Sequence, residues 1–205
     1  HGQGPLRAQN GFVSQADVVI EARRAAELVG ATPMDRPEDV VANPASGRVY
    51  VVLTGSHRRT SWDDPNPRNR ANAANPRPRN HWGHIIELVP PDGMGRAADH
   101  TADTYRWEFF LMGGDPVKPE VGARYGSVVS RSGWLAAPDN VAFDSRGRLW
   151  IATDGMRIRI QPPVADGLYA ADTVGPGRAV TRRFFACPRG AQMCGPVLTP
   201  DGRTL

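Results

Sequence analysis

The feature that most constrains this chain is a pattern stated twice and begun a third time. RPEDVVANPASGRVYVVLTG starts at Arg36, and APDNVAFDSRGRLWIATDG starts at Ala137. Each has a proline, an acid, an Asp or Asn, a valine opening a short apolar run, a Gly-Arg turn, and then aromatic and β-branched residues. A third, truncated copy, CGPVLTPDGRTL, begins at Cys194 and carries TPDGRT in the place of DSRGRL. A short strand, a tight glycine turn and a second strand make the inner hairpin of a propeller blade. The first two copies lie about a hundred residues apart and the next about fifty-five, wider than the roughly 45 of regular propeller repeats. A degenerate blade is therefore expected between the first two. A β-sandwich with two similar hairpins remains the alternative.

Around these copies the apolar residues alternate with period 2. RVYVVLT (48–54), GHIIELV (83–89), TYRWEFFLM (104–112), RLWIAT (148–153), RIRI (157–160), GLYAA (167–171) and RAVTRRFF (178–185) read as strands bounded by Gly, Pro or Asp. In TYRWEFFLM, Tyr105, Trp107, Phe109 and Leu111 are expected to share one face. No crossover helix separates the strands, so the fold class is all-β and antiparallel. The 22 Gly and 19 Pro suit short strands and tight turns rather than a helical bundle. One helix is expected near the N-terminus, over 14–30. Ser14 caps it, Asp17 takes the capping-box position, Ala22, Ala25, Ala26 and Val29 form its apolar stripe, and Gly30 stops it. Residues 61–80, rich in Pro, Asn and Arg, read as a long loop, either functional or a surface insertion. The chain opens on His1 and stops inside the third copy. We therefore expect residues 1–205 to be the C-terminal portion of a single propeller domain whose N-terminal blades lie outside it.

Composition removes several function classes. The net charge of +4 comes almost wholly from arginine, Lys118 being the only lysine. Codon bias explains scattered arginines, and no basic face with interleaved aromatics suggests a nucleic-acid partner. No run of apolar residues is long enough for a membrane span. Cys187 and Cys194 can close a small disulfide loop or remain two thiols. They lack the second ligand pair of a zinc site. No GxSxG elbow, Walker loop or HExxH motif occurs, so serine hydrolase, nucleotide kinase and zincin chemistries find no support.

The repeat places candidate chemistry. Residues just before the inner strands of a propeller converge on one rim. Glu38 aligns with Asp139, and Asp39 with Asn140. Converging carboxylates repel, so they need either a cation or a raised pKa. Calcium takes such oxygen ligands, while Cys194 at the matching place in the third copy leaves a softer metal open. The alternative for these acids is turn capping through backbone N–H groups. Arg36, one proline from Glu38, either grips a phosphate in bidentate fashion or pairs with Asp35 or Asp39. His84 and Asn80 precede another strand, where a histidine is more often a buried hydrogen-bond partner than a ligand. His57 and His81 have no partner visible in the sequence.

Several segments, in order, resemble the PhoX family of alkaline phosphatases. They are GATPMDRPEDV (30–40), NPRPRNHWGHIIEL (75–88), FFLMGGDP (109–116), PDNVAFDSRGRLWIATDG (138–155) and CGPVLTPDGRTL (194–205). The resemblance implies a six-bladed propeller, exported folded by the twin-arginine route and hence periplasmic or secreted, and a monomer when full length. It implies a channel holding calcium and iron that hydrolyses small-molecule phosphate esters. Arg36 would contact the phosphate and Glu38 would bridge metals, with further ligands, a cysteine among them, from an N-terminal half outside this chain. This piece alone is then expected to be inactive. Two alternatives remain: a calcium-dependent lactonase propeller, and a non-enzymatic binding propeller.

Overall fold

The computed structural model describes residues 2, 4–91, 95–155, 164–188 and 190–205. The expected strand over 157–160 lies outside the described residues. Two compact units are present, His1–Pro33 and Met34–Leu205.

In the first unit the expected single helix is two short ones, α1 (Gln15–Ile20) and α2 (Ala22–Leu28). The capping box forms: Ser14 Oγ accepts from the Asp17 amide at 3.3 Å, and Asp17 Oδ2 accepts from the Ser14 amide at 2.7 Å. The helix breaks at Glu21 (φ −96°, ψ 34°), directly after Val18, Val19 and Ile20. Three β-branched residues in a row lose rotamer freedom in a helix and make it a weak one. Of the expected stripe, Ala25 is the buried member within these helices.

The second unit is all-β, with two four-stranded antiparallel sheets in simple up-and-down order. The first holds β1 (Pro37–Ala42), β2 (Val49–Leu53), β3 (His84–Val89) and β4 (Arg106–Met112). The second holds β5 (Pro138–Phe143), β6 (Leu149–Thr153), β7 (Gly167–Ala171) and β8 (Arg182–Ala186). The two full repeat copies are therefore the first hairpins of consecutive sheets, and no blade lies between them among the described residues. Their wide spacing comes from long connections, above all the 54–83 segment between β2 and β3.

Backbone detail repeats with the sequence. Arg36 and Ala137, each just before the proline, both sit at positive φ, 54° and 53°. The turn glycines Gly47 and Gly147 have φ of 72° and 75°, a conformation open to glycine without the cost of a Cβ. The third copy makes its turn but no strand. The Thr199 amide donates to Thr204 O at 2.9 Å and Gly202, at φ 66°, donates to Thr199 O at 2.8 Å. Successive copies are also hooked together. Asp39 Oδ2 accepts from the Val141 amide at 2.9 Å, and Asn140 Oδ1 accepts from the Gly195 amide at 3.1 Å. These bonds join one copy to the next, and are not the local turn capping considered for the acids.

One apolar core joins the two sheets: Tyr50, Val52, Ile85, Phe110 and Leu111 meet Leu135, Val141, Leu149, Ile151 and Tyr169. Glu87, fully buried on β3, ties them electrostatically. It accepts from Tyr50 Oη, from Arg48 Nη1 at 2.9 Å and from Arg178 Nη2, ahead of β8, at 2.9 Å. The expected shared face on β4 is not formed. A bulge between Ile85 and Ile86 pairs Ile86 with Phe109 and Ile85 with Leu111, so Phe110 is unpaired and enters the core while Trp107 stays 43% exposed. A single extra residue in a strand reverses which side faces in.

Candidate active site

The acids singled out by the repeat sit at irregularities of the same kind. Register slips between Pro37 and Asp39 in β1, and between Pro138 and Val141 in β5, taking Glu38 and Asp139 out of the ladder. Bulges of this sort re-aim a side chain at the end of a strand. Here they bring the two acids within electrostatic reach. Asp139 is pushed up to about 6 by burial, then by the charges of Glu38 and Asp154, against the pull of Arg36; Asp39 adds to the rise.

Arg36 pairs with Glu38, Nη2 to Oε1 at 2.8 Å, rather than with Asp35 or Asp39. Both side chains keep contact with solvent, at 46% and 31% exposure, so the remaining guanidinium N–H groups can meet an incoming anion. Asp154 is a member of this cluster that the sequence reading missed. It is 4% exposed, and its Oδ1 has no hydrogen-bond partner. Its amide donates to Ala137 O at 2.9 Å, as the Thr54 amide donates to Arg36 O at 3.1 Å. The signal was present in the repeat: Asp154 holds the place of Thr54, just after the second strand. A buried carboxylate oxygen without a donor, facing like charges, suits a hard cation. No three acidic, histidine or cysteine side chains among the described residues are yet close enough to form a metal-binding group.

A buried polar network next to these residues belongs to the scaffold. Asp35, fully buried, accepts from Arg59 Nε at 2.8 Å and from Asn80 Nδ2 at 3.3 Å. Arg59 Nη1 also donates to Arg68 O and Arg70 O, so the 61–80 loop is fastened to the sheet. Arg77 donates to the carbonyls of Gly83, Gly113 and Val121. Gly83, at φ 64°, fits where a Cβ would come within 2.5 Å of Thr54 O and 2.7 Å of Pro138 Cδ. The Trp82–Gly83 corner is thereby wedged between the segments that carry Arg36 and Asp139, and the Ala137 amide donates to Trp82 O at 2.8 Å.

His84 is the hydrogen-bonded core histidine that the sequence favoured. A carbonyl can only accept, so Nε2 donates to Ala74 O at 2.8 Å, and Nδ1 accepts from Asn80 Nδ2 at 3.1 Å. This fixes the neutral tautomer, and burial pushes the imidazole down to about 3. A histidine with a depressed folded pKa contributes stability that is lost as pH falls below its unfolded value. Between pH 6 and 4 the protein should lose about 1.4 kcal/mol per pH unit through this group. Urea unfolding of wild type and His84→Gln should show the stability gap closing as pH falls; a gap constant from pH 7 to 4 would show that His84 does not titrate in this way.

The two cysteines are separate thiols, Cys187 buried and Cys194 exposed. No helix among the described residues is long and apolar enough to cross a membrane.

The chain can now be set beside known proteins. No curated protein matches it. A solved structure described as Pseudomonas fluorescens PhoX in complex with vanadate, a transition state analogue, superposes with a TM-score of 0.75 at 33% sequence identity. The match covers 94% of this chain and 32% of that one, so the chain spans about a third of the length of that relative. The family model described as alkaline phosphatase PhoX matches residues 3–205, and on that match the chain belongs to the PhoX alkaline phosphatase family.

Proposed function

We propose that this chain supplies consecutive blades of a six-bladed propeller that hydrolyses phosphate monoesters with bound metal ions, in the periplasm or outside the cell, as a monomer. Further blades and metal ligands come from sequence outside these 205 residues, so the chain by itself is inactive. The observation that carries the reading is the acid cluster: Arg36 stands beside Glu38, Asp139 is raised by burial and by the charges of Glu38 and Asp154, and the buried Asp154 Oδ1 has no hydrogen-bond partner. The relative's complex with a transition state analogue favours phosphoryl chemistry at such a site over the lactonase and binding-module alternatives.

Glu38, Asp139 and Asp154 would each contribute carboxylate oxygens to calcium and iron, completed by ligands from outside these residues, since they do not form a metal-binding group by themselves. Once bound, the metals would neutralise phosphate oxygens and lower the pKa of an oxygen nucleophile. Arg36 has its own task. One nitrogen is anchored by Glu38, which aims the planar fork, and the free N–H groups bind phosphate oxygens and stabilise charge developing on them.

Dialysis of the complete protein against a chelator should abolish p-nitrophenyl phosphate hydrolysis, and added calcium and iron should restore it. Arg36→Lys keeps the charge but loses the fork, so KM should rise about tenfold while metal content stays constant. Full activity in metal-free protein would overturn the proposal.

A further inference from the structure

A second group of basic side chains lies at the end of the sheet that carries Arg36. The chain leaving β2 stays paired with the segment preceding β1: the Thr54 amide donates to Arg36 O and the Gly55 amide to Asp35 O, both at 3.1 Å. It then meets the chain entering β3. The Ser56 amide donates to Asn80 O and the Arg79 amide to Arg59 O, both at 2.8 Å, around an antiparallel bridge between Ser56 and Asn80. This pairing sets the turn that holds His57 against Arg79, with His81 just past the bridge. His57 is two residues beyond Gly55, which is paired with Asp35, the residue before Arg36.

His57 and Arg79 are exposed, and His81 is partly buried. The Nδ1 of His81 is shielded from solvent and has no hydrogen-bond partner. Burial first, then the charges of His57 and Arg79, hold His81 below its ordinary pKa, so the three side chains feel one another. Asp35 is ion-paired with Arg59 and Glu38 with Arg36. Arg79 is also held at φ 46°, a left-handed backbone that a residue of its kind seldom adopts. With His81 held in its neutral form, Arg79 supplies the positive charge and the imidazoles hydrogen bonds, a set of groups suited to a multivalent anion.

We propose that His57, Arg79 and His81 form a second anion subsite for phosphate esters whose leaving group carries a further phosphate. This rests on the reading of Arg36 as the contact for the scissile phosphate. Arg79 supplies a fork of donors to the distal phosphate, and the two imidazoles add hydrogen bonds to it. The subsite selects substrates by their leaving group and takes no part in bond cleavage.

Fructose 1,6-bisphosphate and fructose 6-phosphate differ by one phosphate and make the test. The complete protein should favour the bisphosphate in kcat/KM. Arg79→Asn removes the charge yet tolerates the left-handed backbone. It should lower kcat/KM for the bisphosphate by about tenfold, through KM, and leave the monophosphate within about twofold, since one bidentate contact is lost. His57→Gln should act in the same direction with smaller effect. Equal losses on both substrates, or none on the bisphosphate, would overturn the subsite. Calorimetric titration of the same bisphosphate separates the two proposals, because it needs no turnover. If the wild type hydrolyses neither sugar phosphate, the phosphatase reading fails, while weaker binding to Arg79→Asn still supports the subsite and equal binding refutes it.

Discussion

Glu38→Gln in the complete protein is expected to reduce phosphate ester hydrolysis by at least ~10²-fold, since even outer-shell partners of a metal cost 10–100-fold when removed. The substitution preserves size, so the bulge between Pro37 and Asp39 and the ladder to β2 should survive. What disappears is one negative charge, which also weakens the anchor for Arg36 Nη2. The protein should therefore lose metal as well as activity, in contrast to Arg36→Lys, which should keep its metal. Metal analysis beside p-nitrophenyl phosphate kinetics distinguishes the two roles. Full activity and unchanged metal in Glu38→Gln would remove Glu38 from the site.

The largest expected effect on stability is at Arg59. Arg59→Met leaves Asp35 fully buried without its guanidinium, and stranding one partner of a buried ion pair typically costs about 3–5 kcal/mol. The same change frees the loop carbonyls of Arg68 and Arg70. Burial already raises the Asp35 carboxyl above its ordinary value against the pull of Arg59, and losing Arg59 raises it further. A carboxyl with a raised folded pKa contributes stability present below its unfolded value and lost as pH rises through the folded one. The variant should thus be least stable at alkaline pH and partly recover toward pH 4. Asp35→Asn in the Arg59→Met background should restore much of the loss at pH 8. Urea midpoints at both pH values test this, and a loss that is independent of pH would show that Asp35 is not the stranded group.

Much of the fold could be read from local signals. Short runs rich in β-branched and aromatic residues between turn residues marked Val49–Leu53, His84–Val89 and Leu149–Thr153 as strands. Gly47, Gly147 and Gly202 marked the turns because each needs a positive φ. Arg36, Glu38 and Asp139 could be singled out because a repeat puts equivalent residues at equivalent places.

The remainder depended on contacts between distant residues, which no local pattern encodes. The hundred-residue interval suggested a missing blade, yet it is one sheet with a long loop, since pairing β2 with β3 across 54–83 is a tertiary event. Phe110 enters the core beside Leu111 because a bulge in the β3–β4 pairing leaves it between two paired residues. The acid cluster needed Asp154, whose orphaned oxygen matters only once burial removes water from it. Arg59, twenty-four residues from Asp35 and part of no motif, is buried because Asp35 is there to receive it. By itself the sequence determined which residues form strands and turns and which acids recur, because those depend on neighbours along the chain. Tertiary structure alone decided which charges meet and which lose their water, because both depend on what folds over them.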